Sequence, residues 1–263
     1  MTNIISVINQ KGGVGKTTTV INLAASLSIM GQNNLVIDLD PQGNATTGFG
    51  KSNNNEGNNV YNLLIKKINL KDAIQKTNID NLEIIGSHVN LSGLEVETAS
   101  DAKRAFVLKE ILSGEKHNAL KKYNNIFIDC PPSLSLLTIM SLVASDELLV
   151  PLQTEFFALE GITQLVKTID RIKENLNPAL SIRGILLTMF DKRNKLSAEV
   201  DRAARNYFKE KVYQTVIQRN VRLSEAPSHG MPCVLYDKNC VGSKSYFKFA
   251  EEFSKKNNIE SAA

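Results

Sequence analysis

Two lysines sit at the ends of one short glycine-rich stretch, NQKGGVGKTTT, residues 9–19. Its second half, Gly15-Lys16-Thr17, fits the phosphate-loop pattern G-x-x-x-x-G-K-[ST]. The first glycine of that pattern falls on Gln10, however, and a second lysine, Lys11, follows it. In such a loop the glycines let backbone N–H groups turn inward onto phosphate oxygens, and the positive end of the next helix adds to the attraction. Lys16 is then placed to bridge the β- and γ-phosphates of a nucleotide. Thr17 is placed to bind Mg²⁺ through its hydroxyl, because a hard cation on phosphates takes oxygen ligands. Gly12, Gly13, Val14, Gly15 and Thr18 complete the expected cradle.

Carboxylates fall where such a site needs them. Asp38 and Asp40 end the apolar run NNLVIDLD, and Asp129 ends NNIFID before Pro131-Pro132. In a doubly wound sheet the carboxyl ends of the strands line the ligand crevice. Asp129 is expected to support the metal through a water, and Asp40 to position the water that attacks the γ-phosphate, a reaction that asks the protein for positioning and charge rather than covalent chemistry. A strand-end aspartate can also simply cap the helix that follows. The later strand end reads Thr188-Met189-Phe190-Asp191, without the lysine of an N-K-x-D guanine-reading motif, so ATP is favoured over GTP.

The elements that must hold these residues follow from patterning. Short apolar runs at 4–8, 35–39, 82–85, 126–128, 148–152, 182–187 and 212–217 alternate with helical patterns at 16–30, 101–112, 133–144, 160–175, 197–209 and 243–256. That alternation predicts one α/β domain, a doubly wound and mostly parallel sheet covered on both faces. The 263 residues, 42% hydrophobic, suffice to bury its core. Residues 51–59, KSNNNEGNN, predict a surface loop, and 257–263 a flexible tail. Three cysteines without a CxxC pair argue against a disulfide framework or zinc site and fit a reducing cytoplasm. No apolar run approaches a membrane span.

With its two lysines, Lys11-Gly12-Gly13-Val14-Gly15-Lys16-Thr17 resembles the deviant Walker A loop of the ParA/MinD ATPases. The resemblance is nearest to the short Soj-type partition proteins and covers nearly the whole chain, through VIDLDPQGNAT (36–46), FIDCPPSLSLLT (127–138), EFFALEGITQL (155–165), GILLTMFDKR (184–193) and RNVRLSEAPSHG (219–230). It implies a P-loop fold, an ATP-dependent homodimer in which Lys11 reaches the phosphates bound by the other subunit, non-specific DNA binding, and a ParB-like centromere-binding partner. Arg193 and Arg222 match family positions that touch DNA, which implies a cytoplasmic, nucleoid-associated protein. A cation supplied across a dimer interface would tie hydrolysis to assembly, as an arginine finger does. Gln218 departs from the proline common in the family, and a loop beginning at residue 10 leaves no room for the helix-turn-helix domain of longer relatives.

Charge supports the DNA reading. Residues 192–222 carry nine Lys/Arg against three acids, a net of +6, while the whole chain carries +4. Phosphate contact rather than base stacking is implied, since the segment carries nine basic residues against three aromatics, Tyr207, Phe208 and Tyr213. Two relatives of the same loop chemistry are weaker matches. A MinD-like membrane-cycling ATPase needs a basic amphipathic C-terminal helix, whereas Tyr246, Phe249, Ala250 and Phe253 recur at the spacing of a core-docking face. An iron-sulfur reductase needs two cluster cysteines per subunit, and Cys130 beside Asp129 fits a small buried strand-end residue better. A non-catalytic adaptor would be expected to lack Lys16 or Asp40, and both are present.

Overall fold

The computed structural model describes residues 2–114 and 119–260. Seven strands form one sheet: β1 (Asn3–Val7), β2 (Asn34–Asp38), β3 (Gln75–Lys76), β4 (Leu82–Ile85), β5 (Asn125–Asp129), β6 (Glu147–Gln153) and β7 (Ser181–Thr188). Their spatial order is β3-β4-β2-β5-β1-β6-β7, and every pairing is parallel except β3 with β4. β2 and β5 are buried at every position, as expected of parallel strands covered on both faces.

Among the described residues twelve α-helices connect or flank them. They are α1 (Lys16–Ile29), α2 (Asn44–Gly48), α3 (Val60–Leu64), α4 (Leu70–Ala73), α5 (Leu94–Glu97) and α6 (Val107–Ser113), then α7 (Leu136–Ala144), α8 (Ala158–Asn175), α9 (Lys195–Phe208), α10 (Arg222–Glu225), α11 (Cys233–Tyr236) and α12 (Val241–Glu260). The strand side chains alternate between two layers with a period of two. Val36 and Phe127 join α1 and α12 on one face. Leu35, Ile37, Ile126 and Ile128 join α3, α6 and α7 on the other, and the flank of β6 and β7 packs on α8 and α9.

Two expectations change. Residues 212–217 do not form a strand: Val212 bridges Ile185 and Gln218 bridges Phe190 only singly. Between those points the Gln214 and Thr215 N–H groups donate to the Glu252 carboxylate of α12, at 2.7 and 2.8 Å, so no ladder forms there. Helix α12 runs on to Glu260, four residues into the segment read as a tail, and residues 261–263 lie outside the described residues. Residues 51–59 carry no regular element. The edge pair β3 and the short helices α2 to α5 had no counterpart in the patterning.

Candidate nucleotide site and basic face

The glycine-rich loop joins β1, an interior strand of the sheet between β5 and β6, to α1. Gly13 and Gly15 take left-handed backbone conformations, φ 74° and 88°, which residues with a Cβ adopt only at a cost. Gly15 immediately precedes α1, and no side chain caps that helix, so its first N–H groups face the loop with the dipole behind them. Neighbouring strand ends hold the loop in shape. The Thr188 hydroxyl donates to Val14 O at 2.8 Å, buried Asn9 donates to Pro151 O at 2.8 Å, and its side-chain oxygen accepts from Lys11 N at 3.0 Å. These three hydrogen bonds fix the shape of the cradle.

The two lysines have opposite settings. Lys16 is buried, and its ammonium donates to Lys11 O across the loop at 3.1 Å. Burial pulls its pKa down, while Asp129, Cys130 and Asp40 pull the other way. Lys11 is half exposed and forms an ion pair with Glu155, in the turn after β6, without hydrogen-bond alignment. One cation lies under the loop, and the other lies on its rim.

Asp38 and Asp129 are register partners on β2 and β5, both fully buried. Burial pushes the Asp38 carboxyl up to about 6 against the hydrogen bonds it accepts from Thr46. Asp129 is pushed well above the carboxylate range, first by burial and then by Asp38. Neither Asp129 oxygen has a hydrogen-bond partner, although the Thr17 hydroxyl and Lys16 lie near enough to favour the ionised form. An orphaned buried carboxylate beside a threonine hydroxyl and a phosphate cradle fits hydrated Mg²⁺, which keeps several waters and draws its other ligands from phosphate. Among the described residues no group of three or more His, Cys, Asp or Glu could hold a metal without such help. Asp40, nearly buried, accepts from Gln42 N at 3.0 Å through its side chain.

Cys130 is fully buried, and burial pushes its thiol up to about 12, which suits a core residue and not a cluster ligand. All three cysteines are free thiols. The sulfurs of Cys233 and Cys240 nevertheless lie 3.6 Å apart.

The basic segment is brought together but is not bare charge. Phe190 N donates to Ile217 O and Arg219 N to Phe190 O, which sets the turn after β7, with Arg193, beside the segment that carries Arg219 and leads to Arg222. Arg193 is 90% exposed and grips Asp191 with both Nε and Nη2, at 3.1 and 3.0 Å. Its guanidinium and Arg219 hold the Asp191 carboxyl down at about 2. Arg222 is half exposed between Glu225, at 2.7 Å, and Asp237, at 3.6 Å. The sequence showed the excess of positive charge but not these partners. It also gave no site role to Asn9, Thr46, Ser87, Thr188 and Glu155, although Thr46, Thr188 and Glu155 lie inside matched blocks. A cavity of about 690 Å³ is lined by residues around α3, α4 and α6 and by none of the loop.

A doubly wound, mostly parallel sheet, a phosphate loop after an interior strand and acidic strand ends define a P-loop nucleotide-binding protein. A family model described as an AAA domain matches residues 2–182. The chain is 47% identical over 249 residues to the chromosome partitioning protein ParA of Caulobacter vibrioides, across 95% of this chain and 92% of that one. It is 46% identical to the sporulation initiation inhibitor protein Soj of Bacillus subtilis, across 96% and 98%. Among solved structures, cobyrinic acid a,c-diamide synthase from Mycobacterium smegmatis with bound ADP and magnesium superposes with a TM-score of 0.82 at 30% identity, over 95% of this chain and 93% of that one. The chain belongs to the ParA/Soj family of partitioning ATPases.

Proposed function

We propose that this chain is an ATP-dependent DNA-partition ATPase in which ATP closes a sandwich dimer, the dimer holds DNA non-specifically, and a ParB-like partner stimulates hydrolysis and release. The observation that carries this reading is the division of labour between the lysines. Lys16, buried under the cradle, suits the nucleotide of its own subunit. Lys11, half exposed on the rim, suits a nucleotide presented from outside. A lone lysine cannot neutralise a triphosphate, and a second cation arriving in trans makes hydrolysis depend on assembly.

Thr17 and Asp129 would hold Mg²⁺ on the bound phosphates, which screens the charge that develops on them. Asp40 would direct the attacking water. The turn at 188–191 and the segment 217–220, bridged through Phe190 and Gln218, are the candidate walls for the adenine. Arg193 and Arg222 would meet DNA phosphates from each protomer, and the protein would work in the cytoplasm, on the nucleoid. The MinD-like alternative is disfavoured because Tyr246, Phe249, Ala250 and Phe253 are buried against the sheet, so that face of α12 has no apolar surface left for a bilayer. Among the described residues no helix is long and apolar enough to cross a membrane.

Sedimentation with ATP and Mg²⁺ tests the proposal. Lys16→Ala should lose nucleotide binding and stay monomeric, whereas Lys11→Ala should bind ATP and fail to dimerise. Dimers of Lys11→Ala as stable as wild type would remove the cross-subunit role.

A further inference from the structure

Asp40 lies on a loop, yet its backbone is pinned from both sides by a closed ring of buried hydrogen bonds. Asp40 N donates to Asp38 Oδ1 at 3.3 Å. The other oxygen of Asp38 accepts from the Thr46 hydroxyl at 2.6 Å and from Thr46 N at 2.7 Å. The Thr46 hydroxyl oxygen in turn accepts from Ser87 N at 2.8 Å. The Ser87 hydroxyl then closes the ring on Asp40 O at 2.5 Å. Asp38 and Thr46 are 0% exposed, Ser87 1% and Asp40 7%. The ring joins the end of β2 and the helix α2 just after it to the turn that follows β4, where Ser87 lies 47 residues beyond Asp40. Gly86 allows the approach, since a Cβ there would stand 3.2 Å from Thr46 Cγ2.

We propose that Thr46 and Ser87 are positioning residues for hydrolysis, holding the backbone of Asp40 so that its carboxylate meets the attacking water. The inference rests on the reading of Asp40 as the water-directing group. The Asp40 side chain accepts one local hydrogen bond, from Gln42 N, so its direction is set by the main chain that carries it. Loss of the Ser87 hydroxyl leaves Asp40 O to Gly43 N, and loss of the Thr46 hydroxyl leaves Asp38 Oδ2 to Thr46 N and takes the acceptor from buried Ser87 N, so the loop loosens to recover the missing bonds. Displacements of about 1 Å at a reacting centre cost up to about 10²-fold in rate. Substrate binding, which uses the glycine-rich loop, should be spared. A shift confined to kcat separates positioning from general damage.

The experiment is single-turnover and steady-state ATP hydrolysis by full-length protein with Mg²⁺, together with ATP affinity and thermal unfolding. Ser87→Ala and Thr46→Val should each lower kcat about tenfold, with KM and ATP affinity within about twofold, while Thr46→Ser, which keeps the hydroxyl, should restore the rate. In an Asp40→Ala background neither substitution should lower the residual rate further. Unchanged kcat in Ser87→Ala, or the same fold-loss with and without Asp40, would overturn the inference. Wild-type turnover by Asp40→Ala alone would instead remove the reading beneath it.

Discussion

Replacing Arg222 with alanine should change the salt dependence of DNA binding by a definite amount. If each protomer of an ATP dimer places one Arg222 on a phosphate, the substitution deletes two contacts. Each phosphate contact contributes about 0.9 to the slope of log K against log salt on duplex DNA, so the slope should fall by roughly 1.8. Arg193→Ala should do the same. Both side chains already hold acids, Asp191 for Arg193 and Glu225 with Asp237 for Arg222, and DNA must displace or share those carboxylates. Slope and affinity therefore separate. Glu225→Gln keeps the number of arginine contacts and should leave the slope alone, while raising affinity at every salt concentration because a competing anion is gone.

Fluorescence anisotropy on two unrelated duplexes, with ATP and Mg²⁺, from about 50 to 200 mM salt, measures both quantities. Affinity should fall equally for the two duplexes, since no base edge is read. ATP binding should persist in every variant, as neither arginine belongs to the phosphate loop. Unchanged slopes in both arginine variants, or a marked preference of wild type for one duplex, would refute a non-specific basic face.

Two further outcomes follow from buried groups. Phe253 is fully buried against Phe127 and Tyr213, with the Arg183 guanidinium 4.2 Å from its ring centre; Phe253→Ala should cost about 3–5 kcal/mol in denaturant unfolding and leave vesicle co-sedimentation at the wild-type background, whereas wild-type stability with loss of vesicle binding would favour a membrane-facing α12. Cys130, its thiol pushed up to about 12, carries roughly one thiolate in ten thousand at pH 8, so iodoacetamide should spare it in the native protein and modify it in denaturant; fast native labelling, read by peptide mass spectrometry, would contradict its burial.

How much of this was legible in the sequence depends on where each group finds its partner. The glycine-rich loop could be read because phosphate binding there is a property of consecutive backbone N–H groups, and Gly15-Lys16-Thr17 sit where that requires. The strand-end aspartates followed from strand direction alone. Residues 212–217 misled because their apolar residues suit a pleated strand, while the deciding event, Glu252 taking the Gln214 and Thr215 N–H groups, comes from a carboxylate nearly forty residues on. The ring around Asp40 was invisible for the same reason: Ser87 follows Asp40 by 47 positions, and a lone serine after an apolar run has many uses. The basic segment falls between these cases. Its net charge is additive and needs no fold, but whether Arg193 and Arg222 stand free or paired depends on which carboxylates the turns bring alongside. Contiguous backbone chemistry and summed charge survive projection onto one dimension, whereas hydrogen-bond closure between strand ends does not. In this molecule that closure surrounds the residue proposed to aim the water.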